Sequence, residues 1–370
     1  MRFKCDKDKL ADGLNIALKA VSSRSTLPIL QSFLLKSAGE TVKCIGNDLE
    51  MGIEATVPAN IEEEGMIAVN ARMFFEIVKK MPDGEITISS DLTTVKIVSG
   101  RSEFNINAED SKEFIMLPQV EKKQVLTLPQ ATLKKKIGQT IFSISLDDNR
   151  KVLQGELFDI VGDRLNLVAI DGYRISIQSL ELKQEYPESS IIIPGKTLSE
   201  IQKILSPEEE EQVSVYFTDK HVLFEMDQTI VVSRIIEGSF PKYMQMFSED
   251  FKTMVEIDRH KFLYGIERAA LLARESKKAP VKLEIKDSRL IITSNTELGT
   301  VYEELEINQS GDDITIAFNP RYLLEALKAI EEETVNLRFT IASNPCIIRP
   351  ALAEKSEEYK YLILPIRMVD

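Results

Sequence analysis

Three segments of this chain repeat one another at almost equal intervals. Residues 70–81 read NARMFFEIVKKM, residues 194–205 PGKTLSEIQKIL and residues 319–330 NPRYLLEALKAI, offset by 124 and then 125 residues. The last opens as helices do, with a polar cap, proline at the first position and apolar residues at helical spacing. Stacked, Arg72, Lys196 and Arg321 share one column, Glu76, Glu200 and Glu325 a second, and Lys79, Lys203 and Lys328 a third. The apolar columns are Phe74/Leu198/Leu323, Ile77/Ile201/Ala326 and Met81/Leu205/Ile330. Offsets of three and four put the apolar columns on one helical stripe and the charged columns on another. The interval is a domain length, too long for a solenoid unit.

A second repeated helix opens each copy. FKCDKDKLADGLNIAL (3–18), LTLPQATLKKKIGQTIF (126–142) and VEIDRHKFLYGIERAA (255–270) each run from a short alternating strand into a polar cap region. Apolar residues then recur in steps of four: Leu10, Leu14, Leu18; Leu133, Ile137, Ile141; Phe262, Ile266, Ala270. Between and after the helices lie short alternating, β-branched runs separated by turn residues, among them LQGELFDIV and RLNLVAID, which read as separate strands. The expected fold is α+β: three repeated domains, 1–121, 122–249 and 250–370, each with two helices packed on antiparallel sheets of about eight strands in all.

The formal net charge of -13 argues, taken as a total, against a phosphate-binding protein. The acidic excess is blocked, however, at 62–64, 208–211 and 331–333, while basic clusters stand elsewhere, as at 134–136 and 277–278. Three scattered cysteines without metal-ligand spacing read as reduced thiols of a cytoplasmic protein. No apolar run reaches membrane-span length, and MRFKCDKDKL lacks the pattern of a signal peptide. No membrane partner, metal or cofactor is expected.

Three similar domains joined by similar junctions curve into an arc, with the unburied helix faces along one side. Two arcs joined head to tail make a ring with twelve inner helices. At ~8–10 Å between neighbouring helix axes, the circumference is roughly 110 Å and the diameter roughly 35 Å, wide enough for a nucleic-acid duplex.

STLPIL (25–30), NDLEM (47–51), SGRSEF (99–104), DGYR (171–174), FPKY (240–243) and YLILPIRM (361–368) stand in this order across the three repeats. On these strings the whole chain resembles the beta subunit of bacterial DNA polymerase III, the replicative sliding clamp. The resemblance implies DNA-clamp domains arranged as a half-ring, and a head-to-tail homodimer that encircles duplex DNA without reading its sequence. It also implies a processivity factor, itself doing no chemistry, that tethers the replicative polymerase, the clamp loader and other clamp-motif proteins. The sequence departs from the family's usual pattern at Gln245, where arginine is frequent, at Tyr173, where histidine is common, and in continuing past Met368 with Val369 and Asp370.

Carried over by position, the resemblance assigns three sites. The DNA-facing lining comprises Arg24, Arg72, Lys79, Lys134, Arg150, Lys196, Lys203, Arg274 and Lys277, residues suited to sequence-independent backbone attraction. The acid of each stripe, Glu76, Glu200 or Glu325, pairs with neighbours at helical spacing and limits adhesion. The partner-peptide pocket is Leu153, Ile170, Gly172, Tyr173, Arg174, Ile175, Pro241, Met246, Leu362, Leu364, Pro365, Ile366, Arg367 and Met368. Proline at 365 marks YLILPIRM as a strand that leaves its sheet and becomes a tail. The dimer contact sets Ile77, Phe104 and Ile106 against Leu271, Leu272, Glu303 and Glu304, with SEFNINA pairing GTVYEEL edge to edge. Alternation alone leaves Leu362, Leu364, Phe104 and Leu272 open as ordinary core.

Two other functions compete. Asp171 with Arg174 imitates a catalytic acid and its positioning arginine, but no nucleophile–base pair, phosphate loop or metal motif accompanies them. A non-DNA peptide-binding scaffold of the same fold is the alternative.

Overall fold

The computed structural model describes the chain except residues 23–24, 92, 124, 249, 276–279, 353–356 and 368–370, and the side chains of 273–275. Of the expected site residues, Arg24, Lys277, Met368 and the side chain of Arg274 therefore lie outside the described residues, as do Val369 and Asp370.

The first repeat runs β1 (Arg2–Asp6), α1 (Lys7–Ala17), β2 (Ser32–Ala38), β3 (Thr41–Asn47), β4 (Met51–Pro58), β5 (Asn60–Glu63), β6 (Met66–Asn70), α2 (Ala71–Lys80), β7 (Glu85–Ser90), β8 (Thr94–Ser99) and β9 (Ser102–Asn107). The second runs β10 (Val125–Pro129), α3 (Gln130–Gly138), β11 (Gly155–Ile170), β12 (Arg174–Pro194), α4 (Gly195–Ile204), β13 (Gln212–Phe217), β14 (His221–Met226) and β15 (Thr229–Arg234). The third runs β16 (Thr253–Asp258), α5 (Arg259–Glu275), β17 (Val281–Lys286), β18 (Arg289–Thr296), β19 (Gly299–Glu306), β20 (Asn308–Gly311), β21 (Ile314–Phe318), α6 (Pro320–Ala329), β22 (Thr334–Phe339), β23 (Cys346–Pro350) and β24 (Tyr359–Ile363). All six expected helices form. Two expected strands fuse: LQGELFDIV and RLNLVAID are the single strand β11, whose ladder shifts around Gly162 at φ +63. The surplus residues at these shifts lie on β12, between Glu181 and Ser189, so pairing resumes on both sides of the glycine and β11 runs through it.

The helix columns divide as their spacing requires. Phe74, Leu198 and Leu323 are buried, as are Met81, Leu205 and Ile330, whereas Arg72, Lys196, Arg321, Lys79, Lys203 and Lys328 are exposed. Asn70 caps α2 through the amide of Met73, and Asn319 caps α6 through that of Arg321.

The chain packs as two compact units, 1–134 with 200–235, and 135–199 with 236–370. The strands of the second repeat are shared between them, because the sheets do not stop at the repeat boundaries. The first unit holds a five-stranded sheet, β5-β1-β7-β8-β9, and an eight-stranded sheet, β10-β13-β14-β15-β4-β3-β2-β6. Its core sets Leu10, Leu14, Phe74 and Val78 of α1 and α2 against Phe3, Ile86 and Ile97 of the first sheet and Phe33, Leu35 and Cys44 of the second. The second unit holds a seven-stranded sheet, β11-β12-β24-β23-β22-β16-β20, and a four-stranded sheet, β19-β18-β17-β21. Its core sets Phe262, Ile266, Leu323 and Leu327 of α5 and α6 against Val255, Leu337, Ile348, Leu283 and Ile316. Fully burying such a side chain contributes ~1.5–3 kcal/mol. Among the described residues no helix is long and apolar enough to cross a membrane.

Candidate peptide groove and basic helix faces

Most of the residues expected around a peptide pocket meet in the second unit, where β24 pairs with β12. Ile175 stands opposite Leu362 and Arg174 opposite Ile363. Ile170, Ile175, Leu362 and Tyr243 belong to one apolar cluster, against which Leu153, Phe240 and Phe247 pack. Leu362 is core, 3% exposed, but Leu364 is 39% and Ile366 38% exposed. β24 ends at Ile363, and the tail beyond it is tied down by the Leu364 amide donating to the Tyr173 carbonyl at 2.9 Å and the Ile366 amide to the Ala317 carbonyl at 2.7 Å.

The loop between β11 and β12 lies next to the tail, joined to it through the Tyr173 carbonyl. The Asp171 carboxylate accepts from the amides of Tyr173 at 2.8 Å and Arg174 at 3.1 Å, closing a tight turn. Gly172 sits at φ +94, and a Cβ there would lie 2.5 Å from Nη1 of Arg150. Arg150 thus stands exposed beside this loop and on no helix stripe. Tyr173 is exposed and its ring lies 6.3 Å from that of Tyr322, inclined by 26°. On the far side of the cluster a 3₁₀ turn, Tyr243–Met246, is anchored by the buried Tyr243 hydroxyl, which donates to Asp159 at 2.7 Å and leaves Met244 and Met246 exposed. Burial and that hydrogen bond push the Tyr243 phenol well above its ordinary value.

Arg174 is buried, and each of its three guanidinium nitrogens donates a hydrogen bond. Nε donates to Asp171 at 2.9 Å, Nη1 to Glu325 and Nη2 to the Phe142 carbonyl. Its Cζ lies 4.4 Å from the centre of the Tyr322 ring. Tyr322, Phe142 and Tyr243, which the sequence reading did not assign to the pocket, stand around Arg174 and the apolar cluster, as do Glu325, read there as a stripe acid, and Asp171, read there only as an imitation of a catalytic acid.

The basic faces are heterogeneous. Arg72, Lys79, Lys196 and Lys203 are exposed, with Lys203 paired to Glu200 at 2.8 Å and Lys79 over the ring of Phe75. Lys134 departs from expectation: half-buried, it donates to the Leu205 carbonyl at 2.8 Å, just past the end of α4, where a cation is stabilised by unpaired carbonyls.

Of the expected dimer residues, Phe104 and Ile106 lie on β9 and Glu303 and Glu304 on β19, while Ile77 lies on α2 and Leu271 and Leu272 on α5. β9 ends the five-stranded sheet and β19 the four-stranded one. Phe104 is 46% exposed and Leu271 60%, so neither is core, whereas Ile77 and Ile106 pack partly on the first unit's core. Leu272 is half-buried. Glu303 takes two hydrogen bonds from Arg268, at 2.6 and 2.7 Å, and Glu304 takes one from Arg289 at 3.0 Å.

Deeper in the second unit, Glu156 is fully buried. It is within hydrogen-bonding reach of the Thr140 hydroxyl, and its Oε2 has no partner among the described residues. Burial pushes its carboxyl up to about 8.

Family models for the DNA polymerase III beta subunit match the chain in three pieces: the N-terminal domain over residues 1–118, the central domain over 127–242 and the C-terminal domain over 244–367. The chain is 36% identical over 383 residues to the beta sliding clamp of Bacillus subtilis (strain 168), covering 99% of this chain and 100% of that one. It is 35% identical over 378 residues to the beta sliding clamp of Staphylococcus aureus, covering 99% of each. Among solved structures it is similar to the DNA polymerase sliding clamp of Bacillus subtilis, TM-score 0.96 at 34% identity, and to the DNA polymerase beta subunit of Streptococcus pyogenes, TM-score 0.95 at 30%, each covering 100% of both chains.

Proposed function

The chain belongs to the DNA polymerase III beta subunit family, the sliding clamps, and from that premise we propose that two copies close head to tail around duplex DNA and hold the replicative polymerase there. The three repeats are its three clamp domains, proposed to divide at 1–121, 122–249 and 250–370. The observation that carries closure is the order of the strands. β4, β12 and β19 are equivalent, each the return strand of a short hairpin in which residues five positions apart pair: Asn47 with Gly52, Ile170 with Ile175 and Asn295 with Thr300. β9, β15 and β24 are equivalent ends of their half-sheets. Within the chain β15 is paired to β4 and β24 to β12, in the same register: Val232 faces Gly52, and Leu362 faces Ile175. The two members left at sheet edges are β9 and β19. An unpaired edge is a template for another chain, and pairing β9 of one copy with β19 of the next repeats the internal junction. Because the two edges differ, the contact is heterologous, and two copies joined this way close a ring.

The same register makes Asn105 face Thr300, Phe104 face Val301 and Ser102 face Glu303 of the other copy. Arg72, Lys79, Lys196 and Lys203 offer backbone attraction without base-specific geometry, which suits a protein that slides. The aliphatic floor at Ile170, Ile175 and Leu362, with Met244, Met246 and Leu364 exposed beside it, suits short, partly apolar peptides of varied sequence. Polymerase, loader and other clamp-motif proteins would share this groove, and the clamp itself would carry out no chemistry, acting on DNA in the cytoplasm. Sedimentation tests the ring: a dimer is expected, and a monomer at micromolar concentration would contradict closure.

A further inference from the structure

The repeated acid of the helix stripes behaves differently in the third copy. Glu76 lies 3.8 Å from Lys80 of its own helix, and Glu200 pairs with Lys203 at 2.8 Å and stands 3.9 Å from Lys19. Glu325 instead divides its carboxylate between two arginines, taking Oε1 to Arg321 at 2.8 Å and Oε2 to the buried Arg174. Arg321 belongs to the exposed basic column of α6, its side chain 67% accessible. Arg174 belongs to the groove, and through its stacking on Tyr322 it supports the ring that carries the exposed Tyr173. A continuous chain of contacts, Arg321–Glu325–Arg174–Tyr322–Tyr173, thus runs from the basic column to the groove rim.

We propose that Glu325 is a positioning residue that links phosphate engagement at Arg321 to the ordering of the peptide groove through Arg174. A carboxylate shared by two guanidiniums binds each less firmly than it would bind one. When a DNA phosphate draws Arg321 away, the whole carboxylate serves Arg174, which holds Tyr322 and Tyr173 in the geometry a peptide meets. Linkage makes the effect reciprocal, so a bound peptide equally favours the phosphate-engaged arginine. This inference rests on the clamp reading of the basic column and of the groove.

The test measures binding of a fluorescein-labelled short peptide, with leucine and phenylalanine among polar residues, to the full-length dimer alone and to the dimer held on DNA. Wild type is expected to bind the peptide about 5–10-fold more tightly on DNA, the low end of typical coupling. Arg321→Gln should bring that ratio to one, while Lys196→Gln, in the same column but on another helix, should keep it. Glu325→Gln should also erase the ratio and should weaken the peptide on the free dimer. A merely structural Glu325 would weaken the peptide yet leave the DNA-dependent ratio intact, and that result overturns the proposal, as does a wild-type ratio of one or a ratio that survives in Arg321→Gln. Failure of the underlying reading looks different: the peptide would bind neither state, or would still bind a chain lacking residues 364–370.

Discussion

Ile175 and Leu362 face each other across β12 and β24, so the strand that completes the third repeat also carries the floor of the proposed groove. Leu362, 3% exposed, and Leu364, 39% exposed, are two residues apart and have different duties. Leu362→Ala should cost about 2–4 kcal/mol of stability by leaving a cavity. Leu364→Ala should leave the melting temperature within a degree or two but weaken partner peptides about tenfold. Removing residues 364–370 spares β24 and should abolish polymerase-peptide binding without dissociating the dimer, as read by anisotropy and sedimentation. A truncated chain that still captured peptides would overturn the groove assignment.

The internal junctions fix the register between copies. Cysteines at Phe104 and Val301 should cross-link across the interface on mild oxidation, giving a covalent dimer on a denaturing gel. A slip of one residue would favour cysteines at 105 and 301 instead and would contradict the repeat argument. Background from the native thiols should be low, because Cys5, Cys44 and Cys346 are all buried.

Glu156 carries a pH signature. Burial raises its carboxyl from 4.5 to about 8. A group that holds its proton more tightly when folded contributes fully below its unfolded value near 4.5, and the contribution is lost as pH rises through about 8. Each tenfold difference in proton affinity corresponds to ~1.4 kcal/mol. Glu156→Gln cannot ionise, so it should match wild type at pH 4.5 and melt several degrees higher at pH 8.5. Equal melting temperatures at both values would show that Glu156 is not held as the acid.

The basic residues separate by what their nitrogens touch. Arg72→Ala and Lys203→Ala should each weaken DNA association modestly and reduce the logarithmic salt slope by about one. Lys134→Ala should instead lower stability by about 1 kcal/mol, since its ammonium is bonded to the Leu205 carbonyl. Titration of DNA binding against salt, with thermal melts alongside, distinguishes the two classes.

Sequence periodicity made the six helices legible because it reports which face of a helix is buried, and the repeat confirmed each helix against two others. It does not report what a polar side chain reaches. Glu325 was readable as a stripe acid paired at four residues, but its bond to Arg174 spans 151 positions. Arg150 and Lys134 were readable as basic, whereas their places over Gly172 and at Leu205 depend on tertiary approach. LQGELFDIV and RLNLVAID read as separate strands because a glycine between two alternating runs looks like a break, and only pairing with β12 on both sides of Gly162 shows that the strand continues. The clustering of Ile170, Ile175 and Leu362 was legible from the resemblance, while Tyr322 lies in a helix that sequence reading assigned wholly to the charged stripe and the core.

Ring closure is the central claim, and retention on DNA measures it most directly. The protein should be loaded by its ATP-driven loader onto a nicked circle and then separated from free protein by gel filtration at high salt. The account predicts that it stays with the circle and is lost once the same DNA is cut to a linear form with free ends. Equal loss from circle and linear DNA, or equal retention on both, would contradict a topological hold and leave ordinary charge attraction as the link to DNA.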